Sequence, residues 1–402
     1  MALRDAQLLD QSDPLATARD RFSIPEGVIY LDGNSLGALP KSVPARIAEV
    51  VQAQWGRDLI TSWNVHGWID LPRRVGDKIA PLIGAEPGTV LVADSTSINI
   101  FKLLSVALAK RPERRVILTE EGNFPTDVYI ADGLAALTGH KVVTGDLRDI
   151  GPEVAVVLVT EVNYRTGARH DMAELTRRAH LSGALTVWDL CHSAGAVPVD
   201  LAAAQADFAV GCGYKFLNGG PGAPAFAYVA PHHLQGLGQP LQGWLGHAAP
   251  FEFAPDYRPA TGIDALRVGT PPILSMSALD AALDTFAGVD MAAVKRKADA
   301  LFDLFVTEIA AKAPELEILT PRSANRRGSQ INLRHPEAYA VVQALIGRGV
   351  IGDFRQPDII RLGLTPLYLR YEDVYRAAEI LGDVIATRAW DRPELKRRAK
   401  VV

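Results

Sequence analysis

Between residues 89 and 229 the chain alternates short apolar, β-branched runs with stretches of helical periodicity. No other feature limits its fold as strongly. The runs fall at 89–93, 115–118, 141–144, 153–160, 185–190, 208–211 and 225–229. Runs that are apolar along their whole length suit strands covered on both faces, and helical connections suit parallel pairing. The expectation is an α/β fold with a central, mostly parallel, seven-stranded sheet. The clearest helix spans 171–181, where Asp171 and Glu174 have capping-box spacing and Gly183 lies just past the end. A helix over 97–108 follows the first run directly, behind Asp94, Ser95 and Thr96. Backbone N–H groups and hydroxyls at such a helix start can bind an anion.

After about residue 290 the texture changes to a smaller α+β unit. Helices are expected at 291–312, 336–348 and 372–386, with strands near 316–319, 329–333 and 359–362. The expected division is an N-terminal segment 1–45 packing with the small domain, a large domain 46–290 and a small domain 291–402.

Composition narrows the partners. A net charge of −4 offers no basic field for nucleic acid and no polybasic membrane patch. The apolar run at 154–159 is too short to span a bilayer, and residues 1–14 lack the apolar core of a signal peptide. Cys191 and Cys212 make neither a disulfide framework nor a CxxC metal pair, so a reducing, cytoplasmic setting and no metal are expected.

Three segments sit at carboxyl ends of expected strands, where open α/β sheets gather chemistry. One carries Asp189 and His192, one carries Tyr214 and Lys215 before a glycine-rich turn, and one carries Phe124 and Asp127. Alone, each has a plainer reading: a solvated strand-end Asp, a snorkelling Lys, a core Phe at a capped helix start. A lysine in an apolar setting has a lowered pKa, and its neutral amine attacks carbonyls. Together the segments match the needs of pyridoxal phosphate: a lysine for the Schiff base, an acid to keep the pyridine nitrogen protonated, a stacked side chain and phosphate donors. Lys215, Asp189, Phe124 and the Thr96/Ser97 helix start supply one each.

Asp189 followed 26 residues later by Lys215 resembles the fold-type I pyridoxal-phosphate enzymes. More narrowly, the chain resembles the kynureninases. The matching pieces are Leu31-Asp32-Gly33-Asn34-Ser35-Leu36-Gly37, Phe124-Pro125-Thr126-Asp127, Asp189-Leu190-Cys191-His192-Ser193-Ala194-Gly195, Tyr214-Lys215-Phe216-Leu217-Asn218, Gly243-Trp244-Leu245-Gly246-His247 and Gly269-Thr270-Pro271-Pro272. They span most of the chain in the family's order.

The resemblance implies roles. Lys215 would carry the cofactor, with Asp189 on the pyridine nitrogen, His192 beside the ring, Phe124 stacked and Asp127 nearby. Thr96, Ser97 and Tyr214 would hold the phosphate, and Thr160 would lie near the ring. Trp244 and Thr270 match positions that complete the phosphate site from the partner subunit of a homodimer; some relatives have Asn in place of Thr270. Arg361 resembles the arginine that takes the substrate α-carboxylate, a role suited to a planar fork. Its plainer reading is a surface arginine paired with Asp358. Asn34 and Ser35 would face the substrate, and Trp63, His66 and Trp68 would line an aromatic pocket or pack on a subunit interface. The implied activity is hydrolysis of the Cβ–Cγ bond of L-kynurenine, and of 3-hydroxykynurenine, to anthranilate (or 3-hydroxyanthranilate) and L-alanine. This serves tryptophan catabolism by the kynurenine route, toward pyridine nucleotides. Lys215 would remove the Cα proton and Tyr214 would assist at the carbonyl.

The rival readings are another fold-type I enzyme or a non-catalytic cofactor-binding protein. A cysteine desulfurase needs a nucleophilic cysteine on a mobile loop, and the turn at 321–328 has none. An aminotransferase would require a keto acid.

Overall fold

The computed structural model describes residues 3–399, so the outer ends of the expected segments 1–45 and 291–402 lie outside the described residues. Its strands are β1 (Ile29–Tyr30), β2 (Val90–Val92), β3 (Val116–Thr119), β4 (Lys141–Thr144), β5 (Val154–Thr160), β6 (Leu185–Asp189), β7 (Phe208–Gly211), β8 (Phe226–Val229), β9 (Glu317–Ile318), β10 (Gln330–Arg334), β11 (Val350–Ile351), β12 (Asp353–Arg355) and β13 (Ile359–Gly363). The seven-stranded sheet has the order β2-β8-β7-β6-β5-β3-β4. Strands β4, β3, β5, β6 and β7 run parallel, and β8 is antiparallel to both β7 and β2.

The sheet forms because its strands are apolar on both faces. Every residue of β5 and β6 is buried, whereas edge strand β4 is largely exposed. Successive side chains alternate between faces. Val156 and Leu158 join the core under the Thr96–Ala109 and Pro125–Thr138 helices, and Val157 and Val159 join the core on the opposite face. That second core runs on into the C-terminal part of the chain.

There, β12-β13-β10-β9 form an antiparallel sheet accompanied by the helices Met291–Lys312, Ala338–Ile346 and Tyr371–Ala386. The N-terminal residues attach to it. Strand β1 pairs in parallel with β11, and the Asp10 carboxylate accepts hydrogen bonds from the N–H groups of Tyr371 (2.7 Å) and Glu372 (3.0 Å). An acid at that point satisfies orphan N–H groups and complements the helix dipole.

Candidate active site

The carboxyl ends of β5, β6 and β7 and the start of the Thr96–Ala109 helix enclose a cavity of about 780 Å³. Thr96 and Ser97 line it. The first main-chain bond of their helix runs from Asn99 N–H to Ser95 O, so the N–H groups of Thr96 and Ser97 precede the ladder. The turn that presents them is fixed by Asp94, in a left-handed conformation (φ 48°), whose carboxylate binds the buried ammonium of Lys102 at 2.5 Å.

Two carboxyl groups meet on the wall below. Asp189 ends β6 and accepts a bond from Cys191 N–H at 2.7 Å. Asp127 comes from the first turn of the Pro125–Thr138 helix and hydrogen-bonds with Asp189. Burial, and then the charge of Asp189, hold the Asp127 carboxyl well above the usual range. Asp127 is therefore the member of the pair that holds a proton more readily than an exposed carboxylate would. Asn123 organises their neighbours. Its Oδ1 accepts from Thr160 Oγ1 (2.6 Å) and Phe124 N–H (2.7 Å), and its Nδ2 donates to Thr119 Oγ1 (2.9 Å). Thr160 Oγ1 is also 3.4 Å from Asp127 Oδ2.

Lys215 lies in the turn after β7. Its Nζ is 3.1 Å from His192 Nε2 and 5.9 Å from the centroid of the Phe124 ring. Burial pushes the amine down, but Cys212, Cys191, Tyr214 and Asp189 more than offset this and hold it above its ordinary value. A lowered value was the expectation from apolar burial alone; the acidic neighbours reverse it. Burial pushes the Tyr214 phenol up to about 12, so it stays a proton donor at neutral pH. The Leu31–Gly37 stretch braces the lysine from behind: Gly37 N–H donates to Tyr214 O at 2.8 Å. A Cβ at Gly37 would lie 2.4 Å from Lys215 O, so only glycine fits.

A second cluster adjoins this one. Tyr164 stacks edge-on against Phe124 (5.2 Å), and its carbonyl accepts from Arg361 Nη1 at 3.1 Å. Arg361 is buried, and Asp353 takes its Nε/Nη2 edge at 2.8 and 2.5 Å. Asp358 is not its partner but pairs with Arg334 (3.3 Å). Ser35 Oγ accepts from Arg361 Nη2 at 2.7 Å. Asn34 is buried beside them, and neither atom of its amide has a hydrogen-bond partner.

Asp32 completes the cluster. Burial, then the charge of Asp353, pushes its carboxyl up to about 8. In the unfolded chain the same group ionises near 4. Between these values the folded chain holds a proton that the unfolded chain has lost. The stability is full below the unfolded value and falls as pH rises through the folded one. Asp32→Asn is expected to flatten that fall by up to about 1.4 kcal/mol per pH unit. Urea midpoints at about pH 5 and about pH 8 read it; a gap between them identical to wild type contradicts the assignment.

Thus Thr96, Phe124, Asp127, Thr160, Asp189, His192, Tyr214, Lys215 and Thr270 line one cavity, and Asn34, Ser35 and Arg361 gather next to it. Thr270 lines this cavity from its own chain. Trp63, His66 and Trp244 do not line this cavity. Trp63 packs on Trp68 (5.9 Å), His66 bonds Asp58 (2.8 Å), and Trp244 packs on Phe251 (5.7 Å). The sequence reading missed Asn123, Tyr164, Gln330, Asp353 and Arg355. The charged alternation Asp353-Phe354-Arg355 was the one available signal for a strand there.

Asp207, His232 and His233 also bring three metal-ligand-type atoms together. Both oxygens of Asp207 already accept bonds, from His180, Thr186 and His233, and so tie the start of β7 to β6.

Over 410 residues, 99% of each chain, the sequence is 51% identical to the kynureninase of Burkholderia pseudomallei (strain 1106a). The chain belongs to the kynureninase family. Residues 294–381 match the kynureninase C-terminal domain. The chain also shares its fold with enzymes of other names. The apo cysteine desulfurase of Thermococcus onnurineus NA1 superposes with a TM-score of 0.77 at 18% identity, covering 92% of this chain and 98% of that one. A C-DES variant carrying glycine covalently linked to its PLP cofactor gives 0.77 at 17% identity, covering 90% and 98%. Both place the chain in the fold-type I architecture expected from Asp189 and Lys215.

Proposed function

We propose that this member of the kynureninase family hydrolyses the Cβ–Cγ bond of L-kynurenine, and of its 3-hydroxy analogue, to the anthranilate and L-alanine, with pyridoxal phosphate as cofactor. The observation that carries the reading is the buried Asp127/Asp189 pair set in one cavity with Lys215. The residues fit the cofactor. The Asp127/Asp189 pair would accept a protonated pyridine nitrogen as a cationic donor, and the Thr96/Ser97 helix start would suit the phosphate. When bound, the cofactor supplies an electron sink beside the substrate amine.

The protein's own groups do the rest. Asp189 would hold the pyridine nitrogen charged, and Phe124 would hold the ring. Thr96, Ser97 and Tyr214 would hold the phosphate, with Thr160 and His192 contributing near the ring. Lys215 Nζ moves the proton at the substrate Cα. The neutral Tyr214 phenol donates at the carbonyl carbon's oxygen. Arg361, Ser35 and Asn34 take the α-carboxylate. Because Asp353 and Ser35 occupy Nε and Nη2 of Arg361 and Tyr164 O takes one Nη1 proton, the carboxylate meets the second Nη1 proton. A desulfurase is disfavoured because Cys191 and Cys212 are both buried. Appearance of fluorescent anthranilate from L-kynurenine with no keto acid present tests the reading. Product formed only when a keto acid is added would instead mark an aminotransferase.

The same proposal covers the large domain 46–290, the small domain 291–402 with the segment 1–45, a cytoplasmic setting and a homodimer with shared sites. Among the described residues, no helix is long and apolar enough to cross a membrane. An apolar patch supports the dimer: Trp55, Leu59, Ile60 and Val65 are 56%, 60%, 75% and 69% exposed. Exposed apolar clusters of this kind mark association surfaces. Ile60→Asp is expected to yield monomers in sedimentation velocity and to weaken cofactor retention. An unchanged dimer would place the interface elsewhere.

A further inference from the structure

We propose that Gln330 is a positioning residue: it fixes the tautomer of His192 and thereby selects the ring nitrogen that faces Lys215. The inference rests on the proposed function in taking Lys215 and His192 as site residues.

The directions of the hydrogen bonds follow from main-chain carbonyls, which only accept. Arg165 O accepts from Asn332 Nδ2 at 2.9 Å. Asn332 therefore turns Oδ1 toward Gln330, and that oxygen accepts from Gln330 Nε2 at 3.0 Å. The same Nε2 lies 3.3 Å from Tyr164 O and 3.4 Å from Asn163 O. With three acceptors around its nitrogen, Gln330 must turn Oε1 toward His192 Nδ1, at 2.9 Å. An amide oxygen accepts only, so Nδ1 carries the proton. Burial, and then the charges of Lys215 and Arg361, keep the imidazole neutral. Nε2 thus presents its lone pair to Lys215 Nζ, 3.1 Å away. The opposite tautomer would set an N–H against the lysine ammonium.

The relay is sealed from solvent. Gln330, Asn332 and His192 are all buried, so no bulk water can replace a broken link. Its start is also informative. Asn332 pairs with Arg361 across the β10/β13 ladder. The strand that carries the carboxylate-binding arginine therefore shares a rigid connection with the imidazole that faces Lys215.

The test is a double-mutant cycle on the holoenzyme, comparing Gln330→Met in wild-type and His192→Ala backgrounds. In the wild-type background kcat for L-kynurenine should fall about 10–100-fold, the scale of a misplaced reacting group. KM should change less than about threefold, and the pH midpoint of the visible cofactor band should move by about half a unit or more. In the His192→Ala background the same substitution should change neither kcat nor the midpoint by comparable amounts. Equal effects in both backgrounds, or none in either, overturn the proposal. A variant-free measurement covers a misfolded Gln330→Met. In wild-type protein labelled with ¹⁵N-histidine, the His192 signal, assigned by its loss in His192→Ala, should show a protonated Nδ1 and a bare Nε2. A protonated Nε2 overturns the proposal. If the kynurenine reading itself fails, wild-type protein yields no anthranilate, while the band midpoint and the tautomer still report on Gln330.

Discussion

Lys215→Ala is expected to abolish turnover of L-kynurenine, by about 10⁴-fold or more, and to remove the visible absorption of the lysine-bound cofactor. The size follows from the loss of both jobs of one amine, covalent attachment and proton transfer at Cα. Nearby groups do not replace it. A buried lysine close to the cavity, Lys102, is committed to Asp94 and to Leu266 O at 2.5 and 2.7 Å. The fold should survive, because Lys215 Nζ makes a single hydrogen bond, to His192, and the cavity around it is already open. A spectrophotometric titration of the variant with pyridoxal phosphate checks both statements. Retention of the band, with turnover above about one hundredth of wild type, would show that another group does this chemistry.

Arg361→Ala has the second largest expected effect, and here two consequences must be separated. The first is a loss of substrate binding, with KM raised about 10²–10³-fold while the cofactor band remains; a charge-assisted hydrogen bond, with the cost of leaving the carboxylate unpaired, is worth this much. The second is a structural cost, because Asp353 would be left buried with the half-exposed Arg355 as its remaining cation and Ser35 as a neutral donor. Breaking one side of a buried pair typically costs about 3–5 kcal/mol. Arg361→Ala combined with Asp353→Asn removes most of that cost and should restore the unfolding midpoint but not KM. If the double variant recovers KM as well, Arg361 serves only the fold. If either variant loses the cofactor band, the arginine belongs to the cofactor site instead.

Much of this was legible in the chain, for identifiable reasons. Strand β5 shows an unbroken apolar run and β6 one interrupted only by Thr186, and their ends carry Thr160 and Asp189, so strand and site residue were read together. The helix start at Thr96 announced itself through Asp94-Ser95-Thr96. By contrast β11 and β12 hold two and three residues, the latter with a charge at each end, too little for a periodic signal. Asp353, the partner of Arg361, was hidden for a related reason. Asp358 is nearer in sequence, but the β12/β13 ladder sets Asp353 opposite Arg361. Pairing across a hairpin is a property of register, which local sequence does not display. The same limit hid Gln330, whose amide reaches His192 from a separate sheet.

The central claim is that Lys215 is the residue that carries the cofactor. Borohydride reduction of the holoenzyme, followed by digestion and mass spectrometry, locates the trapped pyridoxyl group. It is expected on the peptide containing Lys215 and on no other. Its presence on Lys102 or any other lysine, or on none, would contradict the account.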